Sequence, residues 1–120
     1  MSKILVHVTC GPDQPTRAAL AFLVGRAAIE EGHSVTMFLA GDAVQLMRTA
    51  VLDSLSGLGT GALREHHERI SAGGGRFLLS GASSKSRGVG EADLQGVAFE
   101  FASPNQLVRL AVDHDRVLCY

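Results

Sequence analysis

The stretch GHSVTMFLAGDAV, residues Gly32 to Val44, holds the signals for three successive elements of structure. Gly32 suits the left-handed conformation in which many helices end, so it predicts the stop of a preceding helix. Ser34 to Leu39 is short, apolar and bounded by breaking residues, which is typical of a buried strand. Gly41-Asp42 interrupts the apolar run and opens a second, short helix. The order helix, strand, helix is typical of an α/β protein.

The same alternation extends in both directions along the chain. Strands are predicted at Lys3 to Thr9, Ser34 to Leu39, Arg76 to Leu79, Val97 to Phe101 and Asp115 to Tyr120. Helices are predicted at Asp13 to Glu31, Ala43 to Thr49, Ala62 to Ala72, Ser83 to Gly88 and Asn105 to Asp113. We therefore expect one α/β domain over residues 1–120, a three-layer fold whose five-stranded, mostly parallel sheet is covered on both faces. A flavodoxin-like strand order, 2-1-3-4-5, is expected.

Charge and composition argue against two classes of partner. The chain has 11 basic and 12 acidic residues, and only 5 % of its residues are aromatic. It therefore lacks both the basic field and the stacking platforms that nucleic-acid binding needs. No apolar run approaches the roughly 20 residues of a membrane span. The first residues lack the pattern of a signal peptide, so a cytoplasmic protein without a membrane partner is expected.

In parallel sheets, ligands bind outside the carboxyl ends of the strands. The residues to examine are therefore those that follow each predicted strand: Cys10 to Asp13, Ala40 to Asp42, Ser80 to Arg87 and Ala102 to Asn105. In the order 2-1-3-4-5, the first and third strands are neighbours. Cys10 and Ser80 would then face one crevice.

The loop that begins at Ser80 admits three interpretations. Ser80 could be a nucleophile with Lys85 as its base, although no known Ser-Lys spacing is present. The loop could instead hold a phosphate, sulfate or carboxylate, or it could be a plain serine-rich helix cap. The predicted ligand-binding residues are Gly81, Ser83, Ser84, Lys85 and Arg87 together with Ser80, and Gly11 and Asp42 after the first two strands.

The two cysteines do not form a metal-type spacing. Cys10 could be a catalytic thiol, because a helix N-terminus close to it would lower the pKa of the thiol, or it could be a small buried residue. Cys119 is expected to serve in packing or subunit contact. His66 and His67 are adjacent on a predicted helix and point about 100° apart, so they cannot both ligate one metal as an i, i+4 pair can. No metal site and no cofactor are expected.

Several of these segments resemble the DsrE/DsrF-like family, the sulfur-relay group that includes TusD. The similar features are the N-terminal strand and alanine-rich helix, the stretch Gly32 to Val44, and the terminal Asp115-Arg116-Val117. Ser80 to Gly88 also matches a family loop of the form Cys-x-x-x-x-x-x-Arg-Gly, except that Ser80 stands where the family has cysteine. The resemblance implies a five-stranded α/β fold and assembly into trimers, or into hexamers of two stacked trimers. It also implies that sulfur-carrying members hold a persulfide on that loop cysteine.

Serine at position 80 changes the expected function, because a hydroxyl without a base cannot serve as the sulfur nucleophile. We therefore expect an oligomeric protein that binds a small anionic ligand or a protein partner in a pocket at the strand ends. One alternative is sulfur transfer or thiol-redox chemistry at Cys10. Another is a non-catalytic subunit of a sulfur-relay complex. The apolar content of Ala43 to Leu58 exceeds what short helices of a monomer bury, which favours a homo-oligomer.

Overall fold

Strands and helices alternate along the chain in the computed structural model, which describes residues 1–120. The strands are β1 (Lys3–Val8), β2 (Ser34–Leu39), β3 (Ser56–Gly57), β4 (Gly61–Ala62), β5 (Arg76–Ser80), β6 (Glu100–Ala102) and β7 (Arg116–Cys119). The helices are α1 (Pro15–Glu30), α2 (Thr49–Ser54), α3 (Leu63–Ala72), α4 (Gly81–Ser86) and α5 (Pro104–Asp113), with 3-10 segments at Gly41–Met47 and Glu91–Leu94. None of the helices combines the length and the apolar character that crossing a bilayer requires.

Five parallel strands form the main sheet, in the order β6-β5-β2-β1-β7. The predicted α/β class and parallel sheet are confirmed, but the flavodoxin-like strand order is wrong. In that order β2 would be an edge strand, whereas here it lies between β1 and β5, and all residues from Val35 to Leu39 are buried. The ends of β1 and β5 are consequently two strands apart, about 10 Å. Cys10 and Ser80 therefore do not follow neighbouring strands.

The strand order also explains how the two faces of the sheet are covered. From β1 through β2 and β5 to β6 the chain moves in one direction, and only the connection from β6 to β7 reverses. Because crossovers between parallel strands are right-handed, the reversal moves its helix to the opposite face. Accordingly, α1 and α3 contribute Phe22, Leu63 and Ile70 to the larger core, while α5 alone covers the other face.

The second face is only partly covered by α5. Leu107, Leu110 and Ala111 of this helix pack on a small cluster of sheet residues, Leu5, Phe38, Leu78 and Ala102. A five-stranded sheet is about 24 Å wide, whereas a helix with its side chains is about 10 Å across. No residue of α5 is buried, and every residue of β7 is exposed. The expectation of a sheet covered on both faces is therefore met on one face and only in part on the other.

Several local boundaries differ from the sequence expectation. Strand β6, predicted from Val97 to Phe101, pairs with β5 only over Glu100–Ala102. The Val97 N–H is bonded to the Leu94 carbonyl and not to β5. Helix α4 begins at Gly81 and not at Ser83, since Ser80 is its N-cap. Residues 50–61, for which no helix or strand was predicted, contain most of α2 and most of the small β3-β4 hairpin. By contrast, Gly32 has a φ of +88° after α1, as its predicted role as a helix stop requires.

Candidate functional site

Ser80 lies at the carboxyl end of β5 and also caps the next helix. Its Oγ accepts a hydrogen bond of 3.2 Å from the Ser83 backbone N–H, and the residue is only 7 % exposed. A cap of this kind satisfies one of the free N–H groups at a helix start. No histidine, lysine or carboxylate is hydrogen-bonded to the Ser80 hydroxyl, so this geometry contains no base that would activate it.

Two other predicted ligand groups, Asp42 and Arg87, are bound to each other. Arg87 Nε donates to Asp42 Oδ1 at 2.8 Å, and its Nη1 donates to the Ser83 carbonyl at 3.3 Å. Ser83 Oγ in turn accepts from the Gly41 N–H at 2.9 Å. These bonds join the residues after β2 to the residues after β5. They also pair the Arg87 charge with a carboxylate and occupy two of the five Arg87 N–H donors, which weakens the attraction for an anion at this point.

Gly11 contacts the same cluster through its backbone. A β-carbon at position 11 would lie 2.7 Å from the Asp42 Cβ and 2.8 Å from the Asp42 carbonyl oxygen. Only glycine permits so close an approach. Gly11 therefore brings the residues after β1 against those after β2, and its role here is packing.

A cavity of about 450 Å³ lies on the other side of α4, at the carboxyl ends of β5 and β6. Of the predicted ligand residues, Gly81, Ser84 and Lys85 line it, and Val89, Gly90, Glu91 and Phe101 complete its wall. Ser80, Ser83, Arg87, Gly11, Asp42 and Cys10 do not line it. This cavity lies nearer the edge of the sheet than the pocket expected from the ends of the first and third strands, β1 and β5, which β2 separates.

Within this cavity the polar side chains of Lys85, Ser84 and Glu91 have no internal partners. Lys85 is exposed and makes no ion pair, unlike Arg87. Ser84 is 2 % exposed, and its buried Oγ has no hydrogen-bond partner. A lysine ammonium and a free hydroxyl are groups that bind phosphate, sulfate or carboxylate.

Cys10 follows β1 but is 7 % exposed. Burial raises the pKa of the Cys10 thiol, and the opposing charge of Arg17 is the smaller influence. The lowered pKa expected from a nearby helix start is therefore not found, and α1 begins at Pro15, five residues after Cys10. A raised pKa disfavours the thiolate that sulfur chemistry requires. Catalysis at Cys10 stays a prediction.

The adjacent histidines of α3 both point inward. His66 Nε2 lies 2.7 Å from the Thr60 carbonyl, while both ring nitrogens of His67 are buried without a partner. The His67 ring lies 4.7 Å from that of Phe77. No three His, Cys, Asp or Glu side chains are grouped closely enough to hold a metal ion.

The sequence pointed to Gly81, Ser84 and Lys85 but missed three side chains of the cavity, Val89, Glu91 and Phe101. Glu91 opens a 3-10 segment that gave no helical signal. Phe101 is the residue before the predicted strand-end segment Ala102 to Asn105. Phe101 would have been included if the residues examined at the end of this strand had begun one position earlier.

Comparisons with known proteins agree with this architecture. The profile of the DsrE/DsrF-like family matches residues 2–120. A search of curated proteins found no match. The YchN protein from E. coli is 20 % identical with a TM-score of 0.82, and all of both chains is covered. MTH1491 from Methanobacterium thermoautotrophicum, a protein of unknown function, is 16 % identical with a TM-score of 0.73 over all of both chains.

A third structure, the conserved protein of unknown function BT1422 from Bacteroides thetaiotaomicron, is 11 % identical with a TM-score of 0.70. It covers 99 % of this chain and 95 % of its own. At such identities the structures establish the shared fold, whereas the profile match spans nearly the whole sequence. The chain belongs to the DsrE/DsrF-like family.

Proposed function

We propose that this chain is a DsrE/F-like subunit that binds a small anionic ligand, or an anionic group of a protein partner, and does not carry sulfur at the family loop position. The observation that carries the proposal is the state of Ser80, whose hydroxyl is buried and bound as the cap of α4. A persulfide carrier needs an accessible sulfur atom at that position, and Ser80 offers neither sulfur nor exposure.

Binding is assigned to the cavity beside α4. Lys85 is the cation of the loop that remains free of ion pairs, and it lines the cavity together with Ser84, whose buried hydroxyl has no partner. A charge-assisted hydrogen bond from the ammonium would be stronger than one between neutral groups. The volume of about 450 Å³ lies in the range of small-molecule sites.

Titration with sulfate and with phosphate, followed by NMR of the labelled protein, tests anion binding. We expect amide shifts at the cavity that are lost in Lys85→Gln. Lys3→Gln is the matched control, because Lys3 is paired with Asp113 far from the cavity. The anion proposal fails if neither ion shifts these amides, or if both variants weaken binding equally.

Incubation with a persulfide donor tests the absence of sulfur carriage. Intact-mass measurement and peptide mapping should find no added sulfur in the loop of the natural chain. Ser80→Cys restores the family residue and provides the comparison. Cys10→Ser, prepared in parallel, tests the alternative of sulfur transfer through Cys10, which predicts an added sulfur that this variant loses.

We also infer a cytoplasmic homo-oligomer, a trimer or a hexamer. The support is the face of the sheet that α5 covers only in part. On this side Val108 and Val112 of α5 are 63 % and 83 % exposed, and Val117 of β7 is 40 % exposed. A second copy could bury these side chains, since contiguous exposed apolar surface marks interaction sites.

A partner bearing a sulfur-relay cysteine could occupy the same face, as the non-catalytic subunit alternative requires. Light scattering on the purified chain, and co-purification with candidate homologues, distinguish the two.

A further inference from the structure

The cavity beside α4 is lined by charged, polar and aromatic residues beyond the cation that an anion site requires. It is lined by residues of both charges, Lys85 and Glu91, and by Ser84 and Phe101. The ring of Phe101 is 44 % exposed and is held edge-on against Phe99, with ring centroids 5.1 Å apart. The wall therefore combines a cation, a carboxylate, a neutral hydrogen-bonding group and a fixed apolar surface.

Ser84 has an unused hydroxyl in a position where a local bond would be simple to form. Ser86, two residues later on α4, donates its hydroxyl to the Ala82 carbonyl, four residues before it, at 2.6 Å. Ser84 could in principle bond back in the same way, yet its Oγ is buried without any partner. Leaving a buried hydroxyl unpaired is unfavourable, so Ser84 Oγ would gain a hydrogen bond if a polar ligand atom reached it from the cavity.

Lys85 and Glu91 line one cavity without pairing to each other or to any other side chain. All the neighbouring arginines are paired: Arg87 binds Asp42, and Arg48 binds Asp93. A simple anion would be attracted by Lys85 and repelled by Glu91. A molecule that carries both a carboxylate and an ammonium would instead meet an opposite charge at each end.

Resting on the proposed function, and narrowing its ligand, we propose that the cavity binds a small zwitterion with an apolar body, of the amino-acid or dipeptide type. Lys85 and the Ser84 hydroxyl bind the carboxylate. Glu91 binds the ammonium, and Phe101 packs against the apolar body. The free space beside Gly90, where no atom lies within 4 Å of a built β-carbon, leaves room for that body.

The test uses three matched probes: L-phenylalanine, N-acetyl-L-phenylalanine, which lacks the ammonium, and L-phenylalanine amide, which lacks the carboxylate. Each is titrated into the labelled full chain, and the amide shifts of Ser84, Lys85 and Glu91 are followed by NMR. A lost charge-assisted hydrogen bond corresponds to about a tenfold or larger loss of affinity. We therefore expect phenylalanine to bind about tenfold more tightly than either analogue.

Variants identify which side chain binds the carboxylate and which binds the ammonium of the probe. Glu91→Gln should remove the preference for phenylalanine over its N-acetyl form, and Lys85→Gln should remove the preference over the amide. Glu68→Gln, at an exposed glutamate of α3, is the matched control and should leave both preferences intact. Gly90→Leu should abolish binding by filling the cavity, and its φ of −127° is one that leucine adopts without strain.

Equal affinity for phenylalanine and its N-acetyl form would overturn the zwitterion assignment. If Lys85→Gln then weakened both probes and also sulfate, the anion site of the proposed function would stand alone. Failure of all three probes to shift any cavity amide would overturn the zwitterion assignment as well, and the sulfate titration would show separately whether the proposed function survives. Undiminished binding of phenylalanine to Gly90→Leu would overturn the location.

Discussion

Acid should destabilise this protein through His67. The residue is 5 % exposed, both of its ring nitrogens lack partners, and its ring lies against Phe77. Burial lowers the pKa of His67 from 6.5 to about 4, with the charge of Arg64 acting in the same direction. The native protein therefore holds this imidazole neutral, whereas the unfolded chain protonates it near pH 6.5.

The sign and size of the effect follow from proton linkage. Because the folded-state pKa lies below the unfolded-state value, the unfolded chain binds the proton first as the pH falls. The free energy of unfolding should be unaffected by His67 above about pH 6.5 and should fall between that value and about pH 4. Each pH unit in this window contributes about 1.4 kcal/mol, which gives a loss of about 3 kcal/mol.

Urea unfolding at steps from about pH 7 to about pH 4 measures this loss, with His67→Phe as the comparison. Phenylalanine cannot titrate and can stack on Phe77, so its unfolding free energy should depend less on pH. The natural chain should lose about 3 kcal/mol relative to the variant across the window. Titration of the carboxylates affects both proteins and cancels in this difference. Parallel pH curves for the two proteins would refute the reasoning, and His67→Leu serves if the phenylalanine variant does not fold.

Three further predictions address packing, assembly and thiol access. Gly11→Val should destabilise the fold by about 1–3 kcal/mol, since its β-carbon meets Asp42 at 2.7 Å; an unchanged urea midpoint would contradict this. Val112→Asp should reduce the mass seen by light scattering without lowering monomer stability, because Val112 is 83 % exposed; an unchanged oligomer mass would exclude this side chain from the interface. A thiol reagent should label exposed Cys119 quickly and buried Cys10 only on unfolding; equal rates would contradict the structure.

Strand and helix identities could be predicted because they depend on local signals. Gly32 does end α1, and the apolar run Val35–Leu39 is buried as expected. The strand order could not be predicted in the same way, because β1 and β2 have equally apolar sequences and neither pattern indicates which one is central. Once the order is known, the uneven covering of the sheet follows from crossover handedness.

The site was predicted in part for a similar reason. Lys85 and Ser84 could be found because they follow a strand directly. The pairing of Arg87 with Asp42 could not, because these residues are 45 positions apart and meet only through the adjacency of β2 and β5. Glu91 was missed because its place beside the cavity depends on where the chain returns after α4. Long-range contacts therefore decide which polar residues are already paired within the protein and which remain free to bind a ligand.

Serine at position 80 differs from a cysteine in more than the missing sulfur atom. A hydroxyl is a good acceptor for a helix N-terminal N–H, whereas a thiol is a weak one. Ser80 can thus cap α4, a helix of six residues that is too short to be stable by itself. That helix carries Ser84 and Lys85 to the wall of the cavity. A cysteine here would weaken the cap, by about 1 kcal/mol if its loss resembles that of other caps. In our proposal, serine at position 80 therefore helps to fix the cavity wall but lacks the sulfur atom that persulfide carriage needs, which is why ligand binding and sulfur carriage are opposed.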